Sequence, residues 1–79
     1  MVELTVYVRQ GCHLCEDMLA DLRDMQARHG FGLHTVDIDA EAALVARYGT
    51  RVPVLCAGER ELSHYFLDKK SLENFLRQA

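Results

Sequence analysis

The chain has 79 residues, of which 49% are hydrophobic and 27% are charged, fractions that are typical of a globular protein. A chain of this length forms one small domain, so we expect a single domain over residues 1–79. The net charge is −3, and the largest basic run is the Lys69-Lys70 pair. An acidic chain without a larger basic cluster argues against a nucleic-acid partner.

The beginning of the chain has a strand-like pattern and lacks the basic flank and apolar segment of a signal peptide. No apolar run approaches the length that spans a membrane. We therefore expect a cytoplasmic protein that makes no contact with membranes, and we expect a monomer. In a reducing cytosol, closely spaced cysteines more often act in catalysis or metal binding than as a structural disulfide.

The first part of the chain alternates strand and helix patterns. An apolar run predicts a buried strand, and apolar residues from Cys15 to Met25 then recur at helical spacing. An alternating strand follows, and Asp39 is placed to cap a short helix that Gly49 ends. This alternation indicates a βαβ unit with parallel strands. The predicted elements are a strand from Leu4 to Val8, a helix from Cys12 to Gly30, a strand from Leu33 to Ile38 and a helix from Ala40 to Tyr48.

The second part of the chain predicts a hairpin and a final helix. An apolar strand from Val54 to Ala57 precedes a turn at Gly58-Glu59 and a mixed strand from Arg60 to Tyr65. Asp68 is placed to cap a helix with the apolar stripe Leu72, Phe75 and Leu76. Because wholly apolar strands should be central, we predict the sheet order 2-1-3-4. The expected fold class is α/β, a β-α-β-α-β-β-α chain whose four-stranded mixed sheet carries helices on both faces.

Two cysteines, Cys12 and Cys15, flank His13 and Leu14 at the start of the first predicted helix. Only a thiolate attacks a disulfide, and free cysteine, with a pKa of ~8.5, is mostly protonated at neutral pH. The N–H groups and dipole of a helix N-terminus favour the thiolate, and Arg9 and His13 add positive charge. Cys15 lies one turn further, on the apolar face. The pattern predicts Cys12 as the nucleophile and Cys15 as the less exposed, resolving thiol.

The cysteine pair has two other interpretations: half of a zinc site, or two cysteines that are close by chance. A structural zinc site usually has a second Cys-x-x-Cys or a close Cys/His pair. Cys56 and four scattered histidines supply neither spacing, so no metal ligand is predicted. Cys56 lies in a predicted central strand and is interpreted as a small buried hydrophobe.

The apolar first strand, the motif Cys12-His13-Leu14-Cys15 at a helix start and Arg51-Val52-Pro53 before a hairpin together resemble the thioredoxin fold. Within that fold the chain is similar to the glutaredoxin-like proteins, in particular to a small bacterial family with C-x-L-C and R-V-P motifs. The resemblance covers nearly the whole chain. It implies a cis Val52-Pro53 bond against the sulfurs, where the backbone of Val52 pairs with a bound thiol peptide. The residues alone leave the isomer open.

Two stretches depart from typical glutaredoxins. These proteins carry Pro-Tyr between the cysteines, where this chain has His13-Leu14. They carry Gly-Gly followed by Asp after the last strand, where this chain has Tyr65-Phe66-Leu67-Asp68. Tyr65 and Phe66 either line the groove beside the cysteines or pack against the fold, and packing is the favoured interpretation.

The expected function is thiol–disulfide exchange by Cys12 and Cys15 in cell redox homeostasis. The candidate substrate-binding residues are Arg9, His13, Leu14, Val52 and Pro53. No cofactor is expected, and glutathione is considered as a co-substrate in the manner of glutaredoxins. The expected partners are protein or low-molecular-weight disulfides, with glutathione or a reductase as the electron source. The alternatives are a thioredoxin-like binding module without redox activity and a metal or iron–sulfur carrier.

Overall fold

The structure, a computed structural model, describes residues 2–78 and alternates strands with helices as the sequence predicts. Four strands, three α-helices and one 3₁₀ turn follow one another along this part of the chain. They are β1 (Glu3–Val8), α1 (His13–His29), β2 (Gly32–Asp37), the 3₁₀ turn (Ile38–Ala40), α2 (Ala42–Tyr48), β3 (Val54–Ala57), β4 (Arg60–His64) and α3 (Lys69–Gln78).

The four strands form one mixed sheet in the order β2-β1-β3-β4, which confirms the predicted order. β1 pairs in parallel with β2, whereas β3 is antiparallel to both β1 and β4. The two central strands are the two apolar ones because they alone have a strand on each side and helices above and below. The fold class is therefore the predicted thioredoxin-like α/β arrangement.

The sheet separates two hydrophobic clusters, and helices cover both of its faces. On one face, α1 and α3 pack against the strands, and the largest buried contributions come from Leu4, Val6, Met18, Leu22, Leu55 and Leu72. On the other face, the 3₁₀ turn and α2 cover a smaller cluster formed by Ile38, Tyr48, Val54 and Cys56. Within residues 2–78, no helix combines the length and the apolar content needed to cross a membrane.

The segment between β2 and α2 differs from the prediction that Asp39 caps a helix beginning at Ala40. β2 ends at Asp37, whose carboxylate accepts the backbone N–H of Asp39 at 2.9 Å and so starts the 3₁₀ turn. Such a local side-chain bond competes with strand and helix alike. Ile38, predicted in the strand, lies in this turn and is fully buried. α2 begins only after Glu41, which makes no capping bond through its side chain.

The last strand also ends earlier than predicted. β4 stops at His64, and Tyr65 has a φ of 64°, in the left-handed region that non-glycine residues seldom adopt. An extended strand cannot include a residue in this conformation. The predicted cap of the last helix is confirmed, because Asp68 Oδ1 accepts the backbone N–H of Ser71 at 3.1 Å.

Candidate functional site

Three segments of the chain meet at one end of the sheet. Tyr7 in β1 is opposite Val54 in β3, and Val54 is opposite His64 in β4. The residues that follow β1, precede β3 and follow β4 therefore all leave the sheet at the same end. This places the cysteine motif, the Val52-Pro53 segment and Tyr65 at one edge of the molecule.

Cys12 and Cys15 are joined in a disulfide, and their Cα atoms are 5.1 Å apart. Cys12 is the N-cap of α1, and Cys15 lies in its first turn. This spacing lets two sulfurs meet without any change in the path of the helix. The sequence prediction that the pair sits at a helix start, within bonding distance, is confirmed.

The two sulfurs have unequal surroundings. The backbone N–H of Cys15 donates a hydrogen bond to Cys12 Sγ at 3.1 Å. Cys12 is half-buried, whereas Cys15 is only 2% exposed and contributes to the packed face of α1. An incoming reactant therefore reaches the first sulfur more easily than the second, as the sequence predicts.

The two residues between the cysteines differ in exposure. The His13 side chain is 97% exposed, and its Nδ1 lies 3.9 Å from a carboxylate oxygen of Glu16. Leu14 is half-buried. Glu16 also lies in the first turn of α1, so it offsets part of the positive charge that His13 would bring when protonated.

Arg9 has a partner that the sequence reasoning missed. Its guanidinium donates hydrogen bonds to both carboxylate oxygens of Asp39 at 3.0 to 3.2 Å. Because these bonds stabilise the charged form, they raise the pKa of Arg9. The positive charge expected beside Cys12 is thus shared with a carboxylate from the segment after β2. An ion pair between residues thirty positions apart leaves no local sequence signal.

The segment before β3 is fixed by contacts on both sides. The Val52-Pro53 peptide bond is cis; Pro53 is buried and Val52 is half-buried. The backbone N–H of Arg51 donates to Tyr48 O at 2.8 Å, and its guanidinium pairs with Glu61 of β4. Burial opposes ionisation of Glu61, but the bonds from Arg51 and His64 outweigh it and lower the pKa of this carboxyl.

Tyr65 and Phe66 are the exposed large hydrophobic residues of the described part of the chain. These residues are 40% and 69% exposed, so the expectation that Phe66 packs against the fold is wrong. The sequence signal was present in the two adjacent aromatics that directly follow an edge strand. Their position at the edge of the molecule that carries the cysteines follows from the register of β3 and β4.

The third cysteine has a different environment. Cys56 is a free thiol in β3 and is 3% exposed, which confirms its interpretation as a small buried hydrophobe. Burial raises the pKa of the Cys56 thiol, because the ionised form would lose its hydration. Within residues 2–78, no three His, Cys, Asp or Glu side chains gather in a way that could hold a metal ion.

The sheet order, the helices on both faces and the cysteine pair at the start of α1 define a protein of the thioredoxin fold. Residues 3–77 match the profile of the glutaredoxin-like domain (DUF836), so the chain belongs to this family, as the sequence resemblance implied. The fold, the family and the paired cysteines support a redox-type role.

Solved structures of other proteins share the fold of this chain. The chain is similar to protein Ne2328 of Nitrosomonas europaea, with 45% identity and a TM-score of 0.84 over 94% of this chain and 89% of that one. It is also similar to protein XcR50 of X. campestris, with 42% identity and a TM-score of 0.73 over 96% and 97% of the two chains. A buckwheat glutaredoxin–glutathione complex shares the fold, with 18% identity and a TM-score of 0.52 over 98% and 70%.

Proposed function

We propose that this protein is a thiol–disulfide oxidoreductase in which Cys12 is the nucleophile and Cys15 is the resolving thiol. The observation that carries the proposal is the hydrogen bond from the Cys15 N–H to Cys12 Sγ at the start of α1. Unpaired N–H groups at a helix N-terminus carry partial positive charge, so they stabilise a thiolate at this position. Cys12 is also only half-buried, whereas Cys15 is buried.

The first step forms a mixed disulfide. The Cys12 thiolate attacks one sulfur of a substrate disulfide, a bond forms between the two sulfurs, and the substrate S–S bond breaks. The other substrate sulfur leaves as a thiolate and takes a proton from solvent. The buried position of Cys15 keeps this first attack on Cys12.

The second step releases the product. Cys15 loses its proton and attacks Cys12 Sγ, which forms the intramolecular disulfide and expels the second substrate sulfur as a thiolate. Two electrons have then passed from the dithiol to the substrate, which becomes two thiols. The helical spacing of the pair places Cys15 beside the mixed disulfide, so this step needs no second collision.

A donor of two electrons must then regenerate the dithiol. The glutaredoxin of buckwheat is solved as a complex with glutathione, which supports glutathione as the donor to test here. Two glutathione molecules would reduce the Cys12–Cys15 disulfide and leave as glutathione disulfide. A reductase is the other donor class, and the Val52-Pro53 segment is the proposed site at which the peptide part of either partner lies.

The decisive experiment traps the mixed disulfide. Cys15→Ser keeps Cys12 but removes the resolving thiol, so we expect a stable covalent adduct with a peptide disulfide, measurable by mass spectrometry. Cys12→Ser in the same assay should form none, and Cys56→Ala should form the wild-type disulfide with release of product.

A binding module without redox activity would behave differently. Its partner would remain bound to both cysteine variants with equal affinity, and neither would form an adduct. We also expect the Cys12 thiolate, followed by its ultraviolet absorbance, to form at a pH below that at which free cysteine ionises. Ionisation at or above the free-cysteine range would contradict the proposed nucleophile.

A further inference from the structure

The turn after β4 keeps an aromatic side chain in solvent at a conformational cost. Tyr65 has a φ of 64°, and the N–H of Phe66 donates to His64 O at 2.7 Å across it. This tight turn places a non-glycine residue in a region of backbone space that costs free energy. Such strained positions concentrate at functional sites. In this turn Phe66 is 69% exposed.

Tyr65 fixes this turn to the segment before β3. Its backbone N–H donates to Pro53 O at 2.9 Å, and its hydroxyl donates to Thr50 O at 2.8 Å. The ring of Tyr65 also meets the ring of His64 edge to face, with centroids 4.8 Å apart. Phe66 is therefore presented from a turn that is bonded at both ends of the 50–53 segment. The backbone of this turn therefore has little conformational freedom left to lose when a partner covers Phe66.

We propose that Phe66 is a specificity-determining residue that favours disulfides of polypeptides carrying a large apolar side chain next to the cysteine. The inference rests on the proposed exchange function and names its substrate class. The register of β3 and β4 puts Phe66 at the end of the sheet from which the cysteine motif leaves β1. In the proposed exchange the substrate disulfide lies at Cys12, so the residues beside its cysteine lie at the same end of the sheet as Phe66.

The chemistry of the exposed surface selects between substrate classes. An exposed phenylalanine gains free energy only from a partner that offers apolar area. Glutathione offers a γ-linked glutamate and a glycine beside its cysteine, with no apolar side chain. A peptide with leucine or phenylalanine next to its cysteine gives Phe66 an apolar surface to bury. Phe66 therefore contributes to the binding of such a peptide and not to the binding of glutathione.

The test compares three disulfides that differ in what they offer to Phe66. Two are synthetic peptide disulfides of equal length and charge, one with leucine and one with serine beside each cysteine, and the third is glutathione disulfide. Fully reduced protein is mixed in excess with each, and single-turnover rates are followed over a range of protein concentrations. The half-saturating concentration reports binding, and the limiting rate reports exchange.

Phe66→Ala should raise the half-saturating concentration for the leucine peptide by about tenfold and leave its limiting rate unchanged. The serine peptide and glutathione disulfide should change by less than about twofold. Phe66→Leu retains an apolar side chain and should recover most of the lost affinity. Lys70→Ala, at an exposed basic residue in the first turn of α3, is the nearby control; it should change the half-saturating concentrations of the two peptides equally and so keep the wild-type preference for the leucine peptide.

Other results would overturn the inference. These are an equal loss on all three disulfides, no loss on any, or a wild-type dimer that Phe66→Ala dissociates, which would make a second copy the occupant of this surface. In each of these three outcomes the wild-type protein still exchanges disulfides, so the proposed function would stand. Failure of the proposed function is distinguishable, because wild-type protein would then reduce none of the three and both proposals would fall.

Discussion

The N-termini of α1 and α3 lie at the same end of the sheet, but two different side chains cap them. Cys12 Sγ accepts the N–H of Cys15, and Asp68 Oδ1 accepts the N–H of Ser71, both at 3.1 Å and both three residues apart. The bonds from Ser71 lower the pKa of Asp68, its backbone N–H contributing most. Asp68 thus shows how the N-terminus of a helix in this fold favours an anion.

The difference between the two caps is chemical and not geometric. A carboxylate is already ionised at neutral pH, so the helix N-terminus only makes Asp68 a stronger cap. A thiol is mostly protonated there, so the same stabilisation changes the fraction that is nucleophilic. Of the two caps, only the sulfur of Cys12 has a second sulfur one turn away. We therefore expect reactivity at the cap of α1 and a structural role for the cap of α3.

The largest expected effect comes from replacing the sulfur cap by an oxygen cap. Cys12→Ser retains a good N-cap side chain, so the fold should remain, but exchange should fall to the uncatalysed rate. The measurement is reduction of a peptide disulfide, with circular dichroism to verify folding. Cys56→Ala is the matched cysteine control and should keep exchange. Residual exchange in Cys12→Ser close to the wild-type rate would move the nucleophile elsewhere.

Replacing the carboxylate cap should affect stability and not exchange. Asp68→Ala leaves the N–H of Ser71 without its partner, so we expect the Tm of reduced protein to fall by a few degrees while exchange remains. Folding lowers the pKa of Asp68. Its contribution to stability is therefore complete above the pKa of the unfolded state and is lost as pH falls through the pKa of the folded state. Asp68→Asn, which keeps an acceptor, should restore Tm at neutral pH but flatten this acid dependence. A loss of exchange in either variant would contradict the assignment.

Most of the fold could be predicted because each element has a local physical cause. The apolar strands β1 and β3 had to be central, the stripe of α1 had to face the sheet, and Asp68 had to cap α3. The Cys12 and Cys15 positions follow from the same logic, since a change from strand to helix pattern marks the N-cap. Predictions of this kind need only neighbours within one or two turns.

The parts of the site that were not predicted depend on contacts between distant residues. Asp39 was assigned to a helix cap because the distant guanidinium of Arg9 cannot be read from the local sequence. Tyr65 was assigned to a strand because its neighbours form a strand pattern. Its observed conformation depends on bonds to Pro53 and Thr50, which the local sequence does not show. Tertiary partners fix the conformation of Tyr65 and occupy the Asp39 carboxylate, whereas the 3₁₀ turn that displaced the predicted cap starts from the local bond of Asp37.

The buried thiol extends the comparison to the interior. Burial raises the pKa of the Cys56 thiol above that of a free cysteine, so the unfolded chain ionises first as pH rises. The contribution of the Cys56 thiol to stability is complete below the pKa of cysteine in the unfolded chain and declines at higher pH. We expect the free energy of unfolding from urea titrations to decline above about pH 9, and to decline less steeply in Cys56→Ala. Tyr48, whose pKa burial also raises, should maintain part of the slope. An unchanged slope in the variant would exclude the thiol as a source.

The smallest expected effect concerns the charge beside the α1 cap. Asp39 occupies the guanidinium of Arg9, so Asp39→Asn frees a positive charge three residues before Cys12. Because both side chains are partly solvent-exposed, the field that reaches the sulfur is screened. We expect alkylation of reduced Cys12 at neutral pH to accelerate by about twofold at low salt and by less at high salt. Arg9→Ala should not accelerate it, and combining the two substitutions should remove the gain. If Asp39→Asn accelerates alkylation equally in the absence of Arg9, the effect comes from the lost carboxylate, and the guanidinium has no electrostatic role at the nucleophile.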